Sequence, residues 1–386
     1  MADGPRILID ATAVPAERAG VGRYVDQLIA AMAAEGADLT IVCQQRDADI
    51  YPRLAPASRV ITAPSRTASK AYRFAWEQLG LPVLIRKLKV EVLHSPHYTM
   101  PLASPVPVVV TLHDATFFSD RALHLGVKGR FFRSWIKLSL RRAAVCVVPS
   151  AATADELVRF AGARRDTMVV AHHGVDSRQF HLPDADQLRS LRRQLNIDGD
   201  WIAFLGTLEP RKNVPELIRG FCSAGRRRLQ RHPAESMPTL VLAGGQGWDD
   251  EVEPALAAVP SDLRVIRAGY LPIELLPALL GGAQLVAYPT LGEGFGLPVL
   301  EAMACGAAVL TTRRLSLPEV GGDAVAYTDV DASSIADAIE LLLDDPSARA
   351  TLGAAAVRRA AEFSWQAAAH THLAAFHQVA TSVDAR

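Results

Sequence analysis

The sequence predicts an α/β chain of two doubly wound halves facing a central cleft, on three observations. At 386 residues the chain is too long for one ordinary hydrophobic core, so two domains are expected. Short runs of Val, Ile and Leu recur, each bounded by glycine-rich turns or helical patterns, as parallel strands buried on both faces require. The series also occurs twice, separated by a polar, charged stretch from Ser177 to Gln194 that reads as the linker. The halves are alike in architecture, with no repeat detectable in sequence.

In the first half, Arg6 to Asp10 reads as a strand, Gly20-Val21-Gly22-Arg23-Tyr24 as a glycine loop, and the stretch to about Glu35 as a helix. The loop is either a structural turn or a place where a substrate approaches the backbone. It lacks the third glycine of a dinucleotide-binding GxGxxG, which argues against a nicotinamide cofactor. Further strands are expected at Leu39 to Cys43, Val90 to His94, Val108 to Leu112 and Ala144 to Val148. Ligands on such sheets bind beyond the carboxyl ends of the strands, and two runs end there in His94-Ser95-Pro96-His97 and His113-Asp114. A histidine so placed serves either the core or proton chemistry. His113, directly at a strand end beside an aspartate, is the better candidate for the second role. The stretch from Gly129 to Arg142 reads as a helix with Phe131, Phe132, Trp135 and Leu138 toward one side and five Arg/Lys around the rest. It is either a core-packing helix with solvated arginines or a docking surface for anionic lipid or a phosphorylated acceptor.

The second half places strands at Trp201 to Leu205, Leu240 to Ala243, Arg264 to Ile266, Leu285 to Tyr288 and Ala307 to Leu310. The first of these runs into Gly206-Thr207-Leu208-Glu209-Pro210-Arg211-Lys212-Asn213. Arg211 and Lys212 beside a glycine turn are either a solvated pair or two fixed charges able to hold a diphosphate in place of a metal ion. The loops Gly244-Gly245-Gln246-Gly247 and Gly269-Tyr270-Leu271 end neighbouring strands and are expected on the same cleft wall. In Glu293-Gly294-Phe295-Gly296-Leu297-Pro298-Val299-Leu300-Glu301, Pro298 marks a first helical residue and Gly306 a left-handed helix end. That leaves the N–H groups of Phe295, Gly296 and Leu297 at a positive helix end, suited to an anion, with Glu301 one turn inside. Ser364 reads as the N-cap of a last helix running toward Val379.

Composition narrows the function. Lys+Arg and Asp+Glu both number 41, which argues against a dedicated nucleic-acid binder. No apolar run approaches the roughly 20 residues that span a bilayer, and Met1-Ala2-Asp3-Gly4-Pro5 does not resemble a signal peptide, so a cytosolic protein is expected. Cys43, Cys146, Cys222 and Cys305 lack metal-ligand spacing and are expected reduced. Asp47-Ala48-Asp49 and Asp184-Ala185-Asp186 fit a DxD spacing, yet neither has a strand-end context, and both read as solvated turns. No metal and no resident cofactor are expected.

Together these residues resemble the retaining glycosyltransferases of family 4, also called group 1, which have the two-Rossmann GT-B fold. The resemblance covers almost the whole chain. It rests on GTLEPRKN from Gly206 to Asn213 and on EGFGLPVLE from Glu293 to Glu301, a pair of glutamates separated by seven residues. Gly20 to Tyr24, His113-Asp114, His173-Gly174-Val175-Asp176, Ser316-Leu317-Pro318-Glu319 and Phe363-Ser364-Trp365 add to it. It implies an acceptor domain over residues 1–180 and a nucleotide-sugar donor domain over 190–363, with a terminal helix, 364–386, crossing back to the first. Carried onto this sequence, Glu301 binds the ribose hydroxyls and Glu293 those of the transferred sugar. Phe295, Gly296 and Leu297 offer N–H groups near sugar and phosphate. In the loop opened by Gly206, Arg211 and Lys212 neutralise the diphosphate. Gly22 lets the first domain's loop approach the phosphates, His113 sits near the reacting side of the sugar, and Tyr270 lies near the base. Gly292 stands where a bulky aromatic is common in the family, and His172-His173 where asparagine is frequent before the glycine.

The resemblance further implies a metal-independent hexosyltransferase acting on a hydroxyl of a glycan or lipid-linked acceptor. GDP-mannose is the first donor candidate and UDP-glucose or dTDP-rhamnose the alternative. A peripheral contact with an anionic membrane through Arg130 to Arg142, at the inner face of the plasma membrane, is the partner expectation. The competing classes are a sugar-nucleotide epimerase or dinucleotide-dependent oxidoreductase, opposed by the missing GxGxxG, and a non-catalytic binder, opposed by the intact charged residues.

Overall fold

The computed structural model describes residues 4–16, 18, 20–119, 126–232 and 236–384. The ten apolar runs become ten of thirteen strands which, among the described residues, form two sheets of seven and six strands with every pairing parallel. The first unit comprises residues 1–174 with 364–386, and the second residues 175–363. The chain therefore changes units a few residues before the stretch read as linker, whose helix Ala185–Leu195 lies in the second unit. Asp184, half of a candidate DxD, caps that helix through the Gln187 amide at 2.8 Å.

In the first unit, in chain order, are β1 (Ile7–Asp10), α1 (Gly20–Ala34), β2 (Leu39–Cys43), β3 (Arg59–Thr62), α2 (Lys70–Leu88), β4 (Val92–Ser95), β5 (Val108–Thr111), α3 (Gly126–Arg142), β6 (Val145–Val148) and β7 (Met168–Val170). The sheet order is β3-β2-β1-β4-β5-β6-β7. All residues of β1, β2, β4, β5 and β6 are buried, the condition that makes central parallel strands continuous apolar runs. Edge strands β3 and β7 are half-exposed. β3 has only Val60 and Ile61 between polar residues and β7 is three residues long, so neither stands out as a run.

Two local expectations shift. Gly20 to Tyr24 is not a loop but the first turn of α1, with Gly22 buried where a Cβ would stand 3.0 Å from Arg18 Cδ. In α3 the wholly buried apolar residue among the described side chains is Ile136, while Phe131 lies at the exposed edge against Phe74 and Trp135. The apolar side is thus rotated from the one expected.

The second unit holds β8 (Trp201–Leu205), α4 (Val214–Arg231), β9 (Thr239–Ala243), β10 (Val265–Gly269), β11 (Leu285–Tyr288), α5 (Leu297–Ala304), β12 (Val309–Thr312), β13 (Ala326–Thr328) and α6 (Ala332–Asp344), in the sheet order β10-β9-β8-β11-β12-β13. The half-exposed edge strand β13, three residues long, was likewise not read from the sequence.

Helix α7 (Trp365–Asp384) closes the chain and belongs to the first unit. Ser364 caps it, accepting from the Ala367 amide at 3.0 Å. Its buried positions Ala368, His372, Ala375, Phe376 and Val379 recur at helical spacing. Gln366 and His370 hold Glu35, just past α1, at 2.7 and 2.8 Å. Gly174 is required where the first segment of this unit meets the second, because a Cβ there would come within 2.1 Å of the Trp365 backbone nitrogen.

Candidate active site

The residues singled out in the sequence fall into two sets, one per unit. In the second unit, the loop after β8 makes a single helical turn, Pro210–Lys212, and the loop after β11 runs from Pro289 to Gly296. The two loops are tied by Leu291 N–H donating to the Arg211 carbonyl at 2.8 Å. Arg211, Lys212 and Glu293 are thereby brought into one cluster. Arg211 Nη1 lies 2.5 Å from Glu293 Oε2 and Lys212 Nζ 2.6 Å from Glu293 Oε1. Arg211 Nη2 reaches Glu209 at 2.7 Å, and its Nη1 also reaches the Gly292 carbonyl at 3.0 Å. Tyr288, the last residue of β11, donates to Glu293 Oε1 at 3.0 Å and accepts from Lys212 Nζ.

Glu293 is 7% exposed, and burial alone would raise its pKa. Arg211 and Lys212 overcome that effect and hold its carboxyl down to about 2. Burial and the neighbouring Arg211 lower the pKa of Lys212, opposed by Glu293 and Glu209. Burial and the Glu293 charge raise that of Tyr288. Glu293 is consequently a fixed anion and acceptor at neutral pH, not a proton donor.

Helix α5 starts at Leu297, one residue before Pro298, behind Gly296 at φ +104°. A left-handed residue is needed to turn the chain into the helix, and glycine adopts that conformation without strain. Gly306 ends the segment at φ +76°, as expected. The N–H groups of Gly296 and Leu297 have no acceptor among the described residues. Ser316 Oγ lies 2.8 Å from both the Glu293 and Phe295 carbonyls and fixes the loop from beneath. Glu301, 3% exposed, sits one turn into α5. Gly206 follows β8 and packs so closely on the next loop that a Cβ on Gly244 would stand 2.2 Å from its carbonyl oxygen. Tyr270 is 58% exposed and lies against Gly245.

In the first unit, His113 follows β5 and donates Nε2–H to the Pro96 carbonyl at 2.8 Å. Burial lowers its pKa, opposed by that hydrogen bond and by Asp114. Tyr24 packs edge-on against the His113 ring, with centroids 4.9 Å apart, and against His173 at 4.7 Å. His97 is 6.0 Å from His113. Gly22 lies two residues before Tyr24 in α1. Among the described residues no group of three or more His, Cys, Asp and Glu is arranged to hold a metal ion, and no helix is long and apolar enough to cross a membrane.

Sequence reasoning missed Tyr288, Glu209 and Tyr24. Glu209 lay inside the quoted loop, and Tyr288 was visible as the polar tip of an apolar run at a strand's carboxyl end. Tyr24 was read only as the last residue of the glycine loop, with no role of its own.

The chain matches the model described as Glycosyltransferase Family 4 over residues 18–179 and that described as Glycosyl transferases group 1 over residues 189–359. It is 32% identical over 285 residues to the O-antigen chain mannosyltransferase B of Escherichia coli, covering 73% of each chain. It is 30% identical over 302 residues to the E. coli serotype-specific mannosyltransferase WbdA, covering 75% of this chain and 36% of that longer one. Among solved structures it is similar to Anabaena HepE in complex with UDP and glucose, with TM-score 0.70 and 17% identity over 99% of this chain and 100% of that one. WaaG, a glycosyltransferase involved in lipopolysaccharide biosynthesis, gives TM-score 0.71 and 14% identity over 96% and 99%. These two likenesses establish the fold: two parallel-sheet units of the GT-B type.

Proposed function

The chain belongs to the glycosyltransferases of family 4 and group 1, and from that premise we propose that it moves mannose from GDP-mannose to a hydroxyl of a glycan or lipid-linked acceptor, with retention and without a metal ion. The observation that carries the reading is the Arg211–Glu293–Lys212 cluster at the carboxyl ends of β8 and β11. The donor's diphosphate becomes the second counter-ion of Arg211 and Lys212, and the N–H groups of Gly296 and Leu297 add to it. Charge grows on that diphosphate as the anomeric C–O bond breaks, so fixed cations stabilise the transition state more than the ground state. In this reading they supply the charge a metal would otherwise provide.

Retention follows from same-face attack. The acceptor oxygen bonds to the anomeric carbon as the phosphate oxygen leaves, and the acceptor's proton passes to that oxygen. Glu293, held ionised, accepts from sugar hydroxyls. Glu301 binds the ribose, with Gly206 and Tyr270 beside the nucleotide. His113 and Gly22 serve the same reaction from the first unit, His113 by facing a substrate hydroxyl. Mannose is favoured because relatives in E. coli are named mannosyltransferases.

The acceptor's source is read from α2 and α3. Helix α3 has six Lys/Arg and no acid, and the only acid of α2, Glu77, is buried. The helices meet through Phe74, 5.5 Å from Phe131 and 5.1 Å from Trp135. Tyr72, Leu79 and Val83 stand exposed along one face of α2, Leu79 at 74%, and Phe131 is exposed on α3. On a chain with no net charge, an apolar stripe on α2 and a basic helix α3 fit an anionic bilayer surface.

The test is transfer by the purified chain from GDP-mannose, UDP-glucose and dTDP-rhamnose to extracted glycolipid, with and without EDTA, and NMR assignment of the new linkage. Transfer from GDP-mannose that survives EDTA and keeps the anomeric configuration is expected. Transfer only from another donor overturns mannose, an inverted product overturns retention, and loss with EDTA overturns metal independence.

A further inference from the structure

Four side chains in the first unit form an unbranched series. His94 Nε2 lies 2.9 Å from Thr111 Oγ1, Thr111 Oγ1 2.9 Å from the Tyr24 hydroxyl, and that hydroxyl 2.9 Å from His372 Nε2. His372 Nδ1 ends the series 2.7 Å from the Ala368 carbonyl of α7. All four are buried. A carbonyl only accepts, so His372 carries its proton on Nδ1, and burial, opposed by that bond, lowers its pKa to about 4 and keeps it neutral. Its Nε2 is therefore a lone pair, and Tyr24 must donate to it. The tyrosine oxygen then accepts from Thr111, and Thr111 accepts from His94 Nε2–H. Any other direction leaves one contact without a hydrogen. The single unmatched atom is His94 Nδ1, buried without a partner.

Tyr24 is held at its hydroxyl by this one-way series, and its ring abuts His113 and His173. The same carbonyl logic puts the proton of neutral His113 on Nε2, toward Pro96, and leaves Nδ1 as a lone pair with no partner among the described residues.

We propose that Tyr24 is a positioning residue: α7, acting through His372, fixes the Tyr24 ring, which holds His113 so that it presents Nδ1 to substrate as an acceptor. The inference rests on the reading of His113 as a substrate-facing group. Small displacements of a reacting group cost rate more than affinity, so the effect falls on turnover.

Two readouts test it. Histidine-labelled full-length chain, examined by long-range ¹⁵N–¹H NMR with signals assigned by single substitutions, reports each tautomer without any donor. The result expected is Nδ1–H for His372 and Nε2–H for His94 and His113. Tyr24→Phe keeps the ring and removes both hydrogen bonds. It is expected to shift the His113 resonances and lower kcat about tenfold, with donor KM changed less than about twofold. His372→Gln, whose amide oxygen can accept from Tyr24, is expected to retain most turnover, and His372→Leu to lose it. Should Tyr24→Phe not fold, that pair reads the same comparison. An Nε2–H tautomer at His372 overturns the series, and unchanged kcat and His113 shifts in Tyr24→Phe overturn the positioning role. If no donor supports transfer, the function proposed above fails while the tautomers still judge this inference.

Discussion

Glu293 is kept ionised by two cations that have little water of their own, so removing its charge strands Lys212 and leaves Arg211 with Glu209 as its counter-ion. Breaking one partner of a buried pair costs about 3 kcal/mol or more, because the remaining charge has neither counter-ion nor solvent. Glu293→Gln is therefore expected to lower the melting temperature of the second unit. A nucleoside diphosphate, which brings the missing charge, should recover more of that loss in the variant than it adds to wild type. Equal shifts for both proteins would mean that the diphosphate does not meet these cations. The acid limb has a defined sign: a carboxyl lowered to about 2 stabilises the fold fully above its ordinary value of 4.5, and that contribution is lost as pH falls toward 2. For function, separate measurement of donor Kd and kcat divides the glutamates. Glu301→Gln is expected to weaken donor binding with little loss of turnover, and Glu293→Gln the reverse. The sequence showed all four of these charged residues, since charge at a strand's carboxyl end stands out against apolar runs. It did not show that three of them neutralise one another, because that depends on a contact between residues about eighty positions apart. It also hid Tyr24, read as the end of a glycine loop, because its hydroxyl partners Thr111 and His372 lie far along the chain.

The central strands declare themselves because both faces are covered and each gives a run of four or five buried residues. At the edges, half-exposed β10 still showed as Arg264 to Ile266, whereas β7 and β13 span three residues each and β3 keeps only Val60 and Ile61 between polar neighbours. The start of α5 was legible for another reason: Gly296 and Pro298 are each tied to a backbone geometry, so the sequence located the turn within one residue. For α3 the helix was evident but its buried side was not, since eight basic or aromatic residues crowd the stretch from Gly129 to Arg142 and tertiary packing on Ile136 decides the rotation. Phe131 meets α2 at Phe74, on the face opposite the exposed Tyr72, Leu79 and Val83. Binding to vesicles of phosphatidylglycerol should exceed binding to phosphatidylcholine and fall as salt rises. Each basic group near an anionic surface contributes about 1 kcal/mol, so Arg141→Glu with Arg142→Glu should weaken binding more than tenfold. Leu79→Ser with Val83→Ser should weaken it at high salt as well. Equal affinity for neutral vesicles, or no effect of either pair, would remove the bilayer from the proposal.

At the scale of the whole chain, the first unit is assembled from two segments and the second from one. The amphipathic spacing of Trp365 to Val379 showed that the last helix would be buried, but nothing in that spacing names the surface it covers. Only the family resemblance pointed it back to the first unit. Its packing there gives the two units unequal dependence on the terminus. Burying Trp365, Phe376 and Val379 contributes about 4.5–9 kcal/mol at roughly 1.5–3 kcal/mol for each large side chain. That is comparable with the entire net stability of a domain, about 5–15 kcal/mol. Removing α7 also deprives Tyr24 of His372 and Glu35 of two partners. A chain ending at Phe363 is therefore expected to show one cooperative thermal transition, from the second unit, with residues 1–174 cleaved rapidly in limited proteolysis. The contiguous fragment 175–363 is expected to fold alone and to keep its affinity for nucleoside diphosphate, since every donor-binding side chain assigned to the second unit lies within it. Two intact transitions in the shortened chain would show that α7 is dispensable to the first unit, and an unfolded 175–363 would show that the second depends on more than its own sequence.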